Sequence, residues 1–426
     1  MQDQPGLFDV PSPPRHHQTA SLADELARFV FDGQETAVST TAAEAGGRTI
    51  EVPTFTNEFW TSRQRAASRL HEISYRACFK PQLPRFFVER LTSPGDRVYD
   101  PFMGRGTTVL EAALLGRLPA GNDINPLSRA LVGPRLDPPT AAEVDQRLKG
   151  LDLSRCRDPR EDLLAFYHPD TLTQVCALRE YLLDREAGGT LDRVDRWIRM
   201  VAVNRLTGHS TGFFSVYTMP PNQAVSVEKQ LQFNAARHQV PPLRDVKRVI
   251  ARKTRSLLLD CTADARQTLG ASASAAVLLV GPADDTPDLP AASVDLVVTS
   301  PPFLDVVNYA GDNWLRCWFC GIDAARVEIT IARRVDDWRA EMTKVFGELH
   351  RVVRPGGHVA FEVGEVRAGT VKLEQAVIPA ALAAGLRPEL VLVNAQDFTK
   401  TAACWGVTNN RKGTNTNRIV VLERPR

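Results

Sequence analysis

A serine, two prolines and a phenylalanine follow a β-branched stretch in the sequence Val297-Val-Thr-Ser-Pro-Pro-Phe303. Because proline cannot donate to a sheet ladder, a strand in this region is predicted to end at Ser300. The stiff turn then holds the Ser300 hydroxyl, the Pro301 carbonyl and the Phe303 ring in a fixed relation. Such a turn either terminates a strand and does nothing more, or presents two hydrogen-bond acceptors and a stacking surface to a substrate.

A second candidate site is the glycine-rich loop Asp100-Pro-Phe-Met-Gly-Arg-Gly-Thr-Thr108, which lies between a predicted strand and a predicted helix. Gly104 and Gly106 let a ligand approach the backbone closely, although a tight turn would use them equally well. Val109 replaces the third glycine of the dinucleotide fingerprint, which argues against NAD or FAD.

Two aspartates favour a different cofactor, S-adenosylmethionine. Asp100 at the strand end would repel a pyrophosphate, but it would attract the ammonium and sulfonium groups of S-adenosylmethionine. Asp123 ends the next predicted strand, where an acid can accept hydrogen bonds from both ribose hydroxyls.

The composition predicts a soluble globular protein. The chain has 426 residues, of which 43% are hydrophobic and 24% charged, so it has room for two domains or for one domain with a large insertion. The net charge of +2 means that any nucleic-acid affinity must come from a local basic patch. Seven cysteines favour reduced thiols and a cytoplasmic location, and Cys317 and Cys320 are predicted to pack in the core. No metal cluster, membrane span or signal peptide is predicted.

The pattern along the chain predicts a doubly wound, Rossmann-like α/β sheet with a helical insertion. Strand, glycine loop, helix and strand follow each other between residues 56 and 135, and strands resume from residue 275 to the end at 426. Residues 136–274 are mostly helical in pattern, so they are predicted to be an insertion between the second and third strands. Residues 1–55, rich in polar residues and proline, are predicted to be a mostly disordered arm.

Four motifs together resemble those of the S-adenosylmethionine-dependent DNA amino-methyltransferases: DPFMGRGTT, GNDINP, TSPPF and LHRVVRPGGHVAFEVGE. The resemblance covers roughly residues 70–135 and 277–423. It implies that Ser300, Pro301, Pro302 and Phe303 are the catalytic tetrapeptide. It further implies cofactor contacts from Asp100, Phe102, Gly104, Gly106, Thr107, Asp123 and one or both of Asp284 and Asp285. A shorter similarity, of Gln4–Phe8 to bacterial sliding-clamp-binding peptides, suggests a clamp contact.

The resemblance implies a nucleoid-associated location in a prokaryote, and it also implies a reaction. The exocyclic amine of cytosine is a poor nucleophile, and acceptors at Ser300 and Pro301 would draw its nitrogen toward tetrahedral geometry once the base has left the duplex. Serine in the first position of the tetrapeptide favours cytosine N4 over adenine N6. No Pro-Cys pair is present, which argues against cytosine-C5 chemistry. The alternatives are an adenine-N6 enzyme, an RNA amino-methyltransferase and a catalytically silent nucleic-acid-binding subunit.

The insertion contains the predicted contacts to double-stranded DNA. Residues 237–255 are strongly basic, and several of their cations recur on one helical face. Such a face is usually just solvated, but it would also suit phosphates. The loop 208–222 adds aromatic residues that would either enter the DNA or pack under the cleft. The predicted DNA-binding residues are Arg244, Lys247, Arg248, Arg252, Phe213, Phe214 and Tyr217.

Overall fold

The computed structural model describes residues 21–60, 67–75, 78–219, 223–302, 309–327, 332, 334–363, 365–366, 371–395 and 416–426. The strands are β1 (Val30–Phe31), β2 (Gln34–Glu35), β3 (Ala37–Ala45), β4 (Arg48–Asn57), β5 (Arg97–Asp100), β6 (Leu118–Asp123), β7 (Val277–Val280), β8 (Val294–Thr299), β9 (Val353–Val363), β10 (Glu365–Val366), β11 (Val371–Lys372), β12 (Arg387–Ala395) and β13 (Thr416–Glu423). The helices are α1 (Leu22–Ala27), α2 (Gln82–Leu91), α3 (Thr107–Leu114), α4 (Leu127–Leu136), α5 (Ala141–Gly150), α6 (Pro169–Ala187), α7 (Arg193–Val203), α8 (Val227–Ala236), α9 (Val246–Leu257), α10 (Ala263–Ala273), α11 (Tyr309–Phe319), α12 (Val335–Val352) and α13 (Glu374–Ala383).

Nine strands form one sheet in the order β3-β4-β12-β13-β9-β8-β5-β6-β7. Strands β9, β8, β5, β6 and β7 are parallel neighbours. The chain runs outward from β5 through β6 to β7 and then returns to place β8 on the other side of β5. Such a reversal opens a crevice at the carboxyl ends of the two central strands. This order confirms the predicted doubly wound α/β fold, and it places the ends of β5 and β8 at the crevice.

Both faces of the sheet are covered because alternate strand residues point to opposite sides. Tyr99 and Val297 belong to a core with α12 and α13, whereas Val98 and Val298 belong to a core with α2. The near-continuous burial of β5 and β8 is typical of parallel strands covered on both faces.

Residues 37–57 differ from the predicted disordered arm. Strands β3 and β4 pair antiparallel along their whole length, and β4 continues the sheet by pairing parallel with β12. Strand β3 is the sheet edge, and its side chains are mostly exposed. An edge strand of this kind lacks the apolar periodicity by which a buried strand is recognised in a sequence. The segment Gln4–Phe8 and Phe303, the last residue of the tetrapeptide, lie outside the residues that the structure describes.

Helices α5 to α10 lie between β6 and β7, as the helical pattern predicted. They share one hydrophobic core with α3 and α4, so the insertion packs directly behind the glycine loop. Across the described part of the chain, no helix has both the length and the apolar character needed to cross a bilayer.

Candidate active site

The glycine loop requires two left-handed backbone conformations. Gly104 has φ +48° and Gly106 has φ +73°. A Cβ atom on Gly106 would lie 2.4 Å from Cγ2 of Val132 on α4. The backbone N–H of Gly104 donates to Oδ2 of Asp123 at 2.8 Å. The loop is therefore held by α4 from behind and by the end of β6 from the side.

Asp123 receives two backbone hydrogen bonds, since the N–H of Asn125 also donates to its Oδ1 at 2.8 Å. Burial raises the pKa of Asp123, while these two bonds act in the opposite direction. Each carboxylate oxygen carries two lone pairs, so each can still accept a hydrogen bond from a ligand hydroxyl.

Asp100 connects the glycine loop to the strand that carries Ser300. The Thr299 hydroxyl donates to its Oδ1 at 2.6 Å, and the Phe102 N–H donates to the same atom at 3.1 Å. Asp100 is 1% exposed. Burial raises its pKa to about 7, against the lowering effect of the two hydrogen bonds.

We expect the ionisation of Asp100 to destabilise the free protein. The pKa of Asp100 in the folded protein lies above the ordinary value of an aspartate, so the protonated side chain stabilises the fold in acid. This stabilisation is lost as the pH rises through about 7. The free energy of unfolding should therefore fall by about 1 kcal/mol more between pH 6 and 8 in the wild type than in Asp100→Asn. Urea denaturation at several pH values measures this difference; parallel pH profiles for the two proteins would contradict the assignment.

The turn after β8 is braced from two sides. Pro301 is buried, and the carbonyl of Pro302 accepts a hydrogen bond of 2.9 Å from Nε1 of Trp338 on α12. The Ser300 hydroxyl donates to the carboxylate of Glu362, a residue of β9 that is 6% exposed. Asn417 on β13 donates to the same carboxylate at 3.1 Å. Burial raises the pKa of Glu362, and both hydrogen bonds oppose that rise.

One cavity of about 420 Å³ joins the glycine loop to Ser300. Its size is within the range of small-molecule sites. The predicted residues that line it are Asp100, Phe102, Gly104, Thr107, Asp123, Asp284, Ser300 and Pro302. Gly106 lies behind the loop, and neither Gly106 nor the buried Pro301 is part of the lining. Between the two adjacent aspartates, Asp284 lines the cavity and Asp285 does not.

Several lining residues were not predicted from the sequence. Trp338, Glu341, Met342 and Val345 lie on one face of α12 and form one wall. Their positions differ by three, four and seven residues, which is the spacing of a helix face and is equally typical of any amphipathic helix. Glu362 was also missed, because its relation to Ser300 depends on the pairing of β9 with β8.

The predicted DNA-binding residues fall into two groups. Arg248 and Arg252 on α9 are exposed, and Phe213 and Tyr217 are half-buried beneath the guanidinium groups of Arg205 and Arg237, each 4.0 Å from the ring centre. The other three residues are buried or partly buried. Phe214 is fully buried, and the Lys247 ammonium donates to the carbonyl of Leu151. The backbone N–H of half-buried Arg244 donates to the Thr171 hydroxyl at 2.8 Å, whereas its side-chain Nε is buried without a hydrogen-bond partner among the described residues.

The buried position of Phe214 differs from its predicted contact with DNA. Its ring belongs to the core of the insertion, and its N–H donates to the Arg205 carbonyl at 2.8 Å.

Cys317 and Cys320 are buried, in agreement with their predicted packing role. No group of three or more His, Cys, Asp or Glu side chains is arranged for a metal within the residues that the structure describes.

Comparison with known proteins gives partial matches. Residues 33–128, which include the glycine loop and Asp123, match the model of a family described as DNA methylase, of the N6/N4 type. That stretch is similar to DNA methylases. The chain is 37% identical over 68 residues to the type II methyltransferase M.MjaII of Methanocaldococcus jannaschii, covering 16% of this chain and 13% of that protein. It is 31% identical over 128 residues to the type II methyltransferase M.MvaI of Kocuria varians, a match that covers 29% of this chain and 25% of that protein.

The matches are confined to part of each protein. The chain covers less than a third of the length of these curated relatives, between 13% and 29%. A solved structure of TrmN from Thermus thermophilus is 14% identical with a TM-score of 0.31, covering 82% of this chain and 50% of that one. The strand order by itself defines the doubly wound fold.

Proposed function

We propose that this protein transfers a methyl group from S-adenosylmethionine to the exocyclic N4 amine of cytosine in duplex DNA. The observation that carries the proposal is the single cavity lined by both the glycine loop and Ser300. A methyl donor held by the loop would be presented to an amine held by Ser300, so that proximity and orientation lower the barrier. The similarity of residues 33–128 to DNA methylases supports both the cofactor and DNA as the substrate class.

The charge of the cavity fits this cofactor. Among its described lining residues, Asp100, Asp123, Asp284 and Glu341 are acidic, and none is lysine, arginine or histidine. Such a surface repels a pyrophosphate and attracts a ligand that carries an ammonium and a sulfonium group. Asp123 would accept hydrogen bonds from the ribose hydroxyls, Asp284 would face the adenine, and Asp100 would balance the positive charge. When bound, S-adenosylmethionine supplies an electrophilic methyl group.

Ser300 and Pro301 would activate the amine by accepting its two hydrogens. The Ser300 proton points to Glu362, so the lone pairs of the hydroxyl oxygen remain available as acceptors. The Pro302 carbonyl is occupied by Trp338, which leaves the Pro301 carbonyl as the second acceptor in the turn. The two prolines and the Trp338 contact keep these acceptors in place before the base arrives, which is the source of electrostatic catalysis. Glu362 and Trp338 are positioning residues in this scheme.

The choice of base rests on Ser300. Serine at the first position of the tetrapeptide favours cytosine N4 in the family that this chain resembles, and the cavity would admit the base only after it leaves the duplex. Phe303 is proposed as the ring on which the base stacks.

The proposal is tested by incubating the full chain with methyl-labelled S-adenosylmethionine and, in separate reactions, plasmid DNA or cellular RNA, then digesting the nucleic acid to nucleosides for mass spectrometry. We expect labelled N4-methylcytosine. Labelled N6-methyladenine would refute the base assignment, and label in RNA alone would refute the substrate class. Cofactor binding without transfer to any nucleic acid would identify a silent subunit and overturn the proposal.

A further inference from the structure

Three cationic side chains of the insertion cluster around one loop. Arg205 follows α7, whereas Arg252 and Lys253 lie on α9. The guanidinium of Arg252 donates to the Thr211 carbonyl at 3.0 Å, and the guanidinium of Arg205 stacks 4.0 Å from the centre of the Phe213 ring. Loop 208–217 therefore connects the C-terminal end of α7 to the middle of α9 and brings their positive charges to one place.

The cluster has too little negative charge to balance it. Glu72 lies 3.3 Å from the Lys253 ammonium. In the described part of the chain, neither Arg205 nor Arg252 forms an ion pair with a carboxylate. Burial, together with the positive charges of Arg316 and Arg252, lowers the pKa of Arg205 to about 10. Burial and the charge of Arg205 also lower the pKa of Lys253. Like charges held this close repel each other, and an anion bound among them would relieve the repulsion.

The cluster is accessible and adjacent to the candidate active site. Arg252 is exposed and Arg205 is partly exposed. The connection to the cavity is short: Glu72 contacts the cluster, the Ser74 N–H donates to Oδ1 of Asn204 at 2.9 Å, and Tyr75 lines the cavity. Three residues span at most about 10 Å, so the cluster lies within a few nucleotides of a base inside the cavity.

We propose that Arg205, Arg252 and Lys253 bind a backbone phosphate of the DNA strand whose base enters the cavity. A phosphodiester is the anion that fits, because guanidinium groups bind its oxygens through paired N–H donors and duplex DNA presents phosphates at regular short intervals. Phe213 holds the guanidinium of Arg205 in a fixed plane for this contact. The inference rests on the proposed function, since it places the phosphate beside a base held by Ser300.

The test measures the dissociation constants of the full chain for a fluorescein-labelled duplex DNA of random sequence and for a duplex RNA of the same sequence, each at several salt concentrations. For Arg252→Gln/Lys253→Gln, we expect the slope of log affinity against log salt to decrease in magnitude by roughly 2, with about 30-fold weaker binding near 0.15 M salt. Glu72→Gln should bind DNA more tightly than the wild type, because it removes the competing carboxylate. Neither variant should change the dissociation constant for S-adenosylmethionine.

Arg196→Gln is the matched control, since Arg196 is an exposed arginine of the same insertion on α7. Arg196→Gln should reduce the magnitude of the slope of log affinity against log salt by less than Arg252→Gln/Lys253→Gln does. An unchanged slope in the double variant, weaker DNA binding by Glu72→Gln, or an effect confined to duplex RNA would overturn the phosphate site. Such results, with normal methyl transfer by the wild type, would leave the proposed function intact. Absence of transfer by the wild type would refute the proposed function, whatever the slopes.

Discussion

Ser300→Ala is expected to lower kcat for methyl transfer by about 10²–10³-fold, the range found when one preorganised hydrogen-bonding group is removed from an active site. The variant loses the acceptor that Glu362 and the proline turn hold beside the glycine loop. Single-turnover transfer of labelled methyl into DNA measures the rate. The dissociation constant for S-adenosylmethionine should remain within about twofold, because the acidic lining of the cavity is unchanged.

Ser293→Ala provides the control at the opposite end of the same strand. Ser293 precedes β8 and its hydroxyl donates to the Pro290 carbonyl at 2.7 Å, outside the cavity. Full activity is expected for this variant. If Ser300→Ala bound cofactor and DNA normally and also kept full activity, Ser300 would not be a catalytic residue.

Gly106→Ala should disrupt the glycine loop. A residue other than glycine at φ +73° incurs about 1–2 kcal/mol of backbone strain. The new Cβ would also lie 2.4 Å from Val132 Cγ2, inside contact distance, and overpacking of this kind costs about 1–3 kcal/mol. We expect the free energy of unfolding to fall by about 2–5 kcal/mol, and S-adenosylmethionine to bind at least tenfold more weakly. Denaturation and calorimetry measure the two effects.

The Gly116→Ala substitution measures the cost of backbone strain without a steric clash of the added Cβ. Gly116 has nearly the same conformation, φ +72°, but no atom within 4 Å of an added Cβ. It should lose about 1–2 kcal/mol and retain its cofactor affinity. The Val132→Ala substitution should restore part of the stability lost by Gly106→Ala, as expected for two residues in contact. Equal losses in Gly106→Ala and Gly116→Ala would show that the contact with α4 is unimportant.

The central part of the fold is readable in the sequence because its elements have strong local patterns. Strands β5 and β8 are buried on both faces and read as short apolar runs, and each ends at a polar residue or proline. The helical insertion is recognisable from its length and periodicity. The hairpin of β3 and β4 is not, because its stability comes from pairing with the distant strand β12 and its outer strand faces solvent.

The candidate active site also contains some features that local sequence identifies and others that only tertiary packing creates. The glycine loop and the Ser-Pro-Pro turn require particular residue types in a row, so the sequence identifies them. Trp338 and Glu362 act from 38 and 62 positions beyond Ser300, and only tertiary packing brings them to the turn. Phe214 shows the opposite effect: its loop pattern allows a ring that enters the DNA or one that packs under the cleft, and the ring fills the core of the insertion. Local sequence carries no information on which of two adjacent aromatic rings points inward.

The most direct test of a cavity shared by methyl donor and target base is a crystal structure with a non-reactive S-adenosylmethionine analogue and methylatable duplex DNA. We expect the analogue along the acidic lining between Asp100, Asp123 and Asp284, with one cytosine outside the helix and its N4 within about 3.2 Å of Ser300 Oγ. An analogue bound away from the glycine loop, or a target base held far from Ser300, would contradict the account.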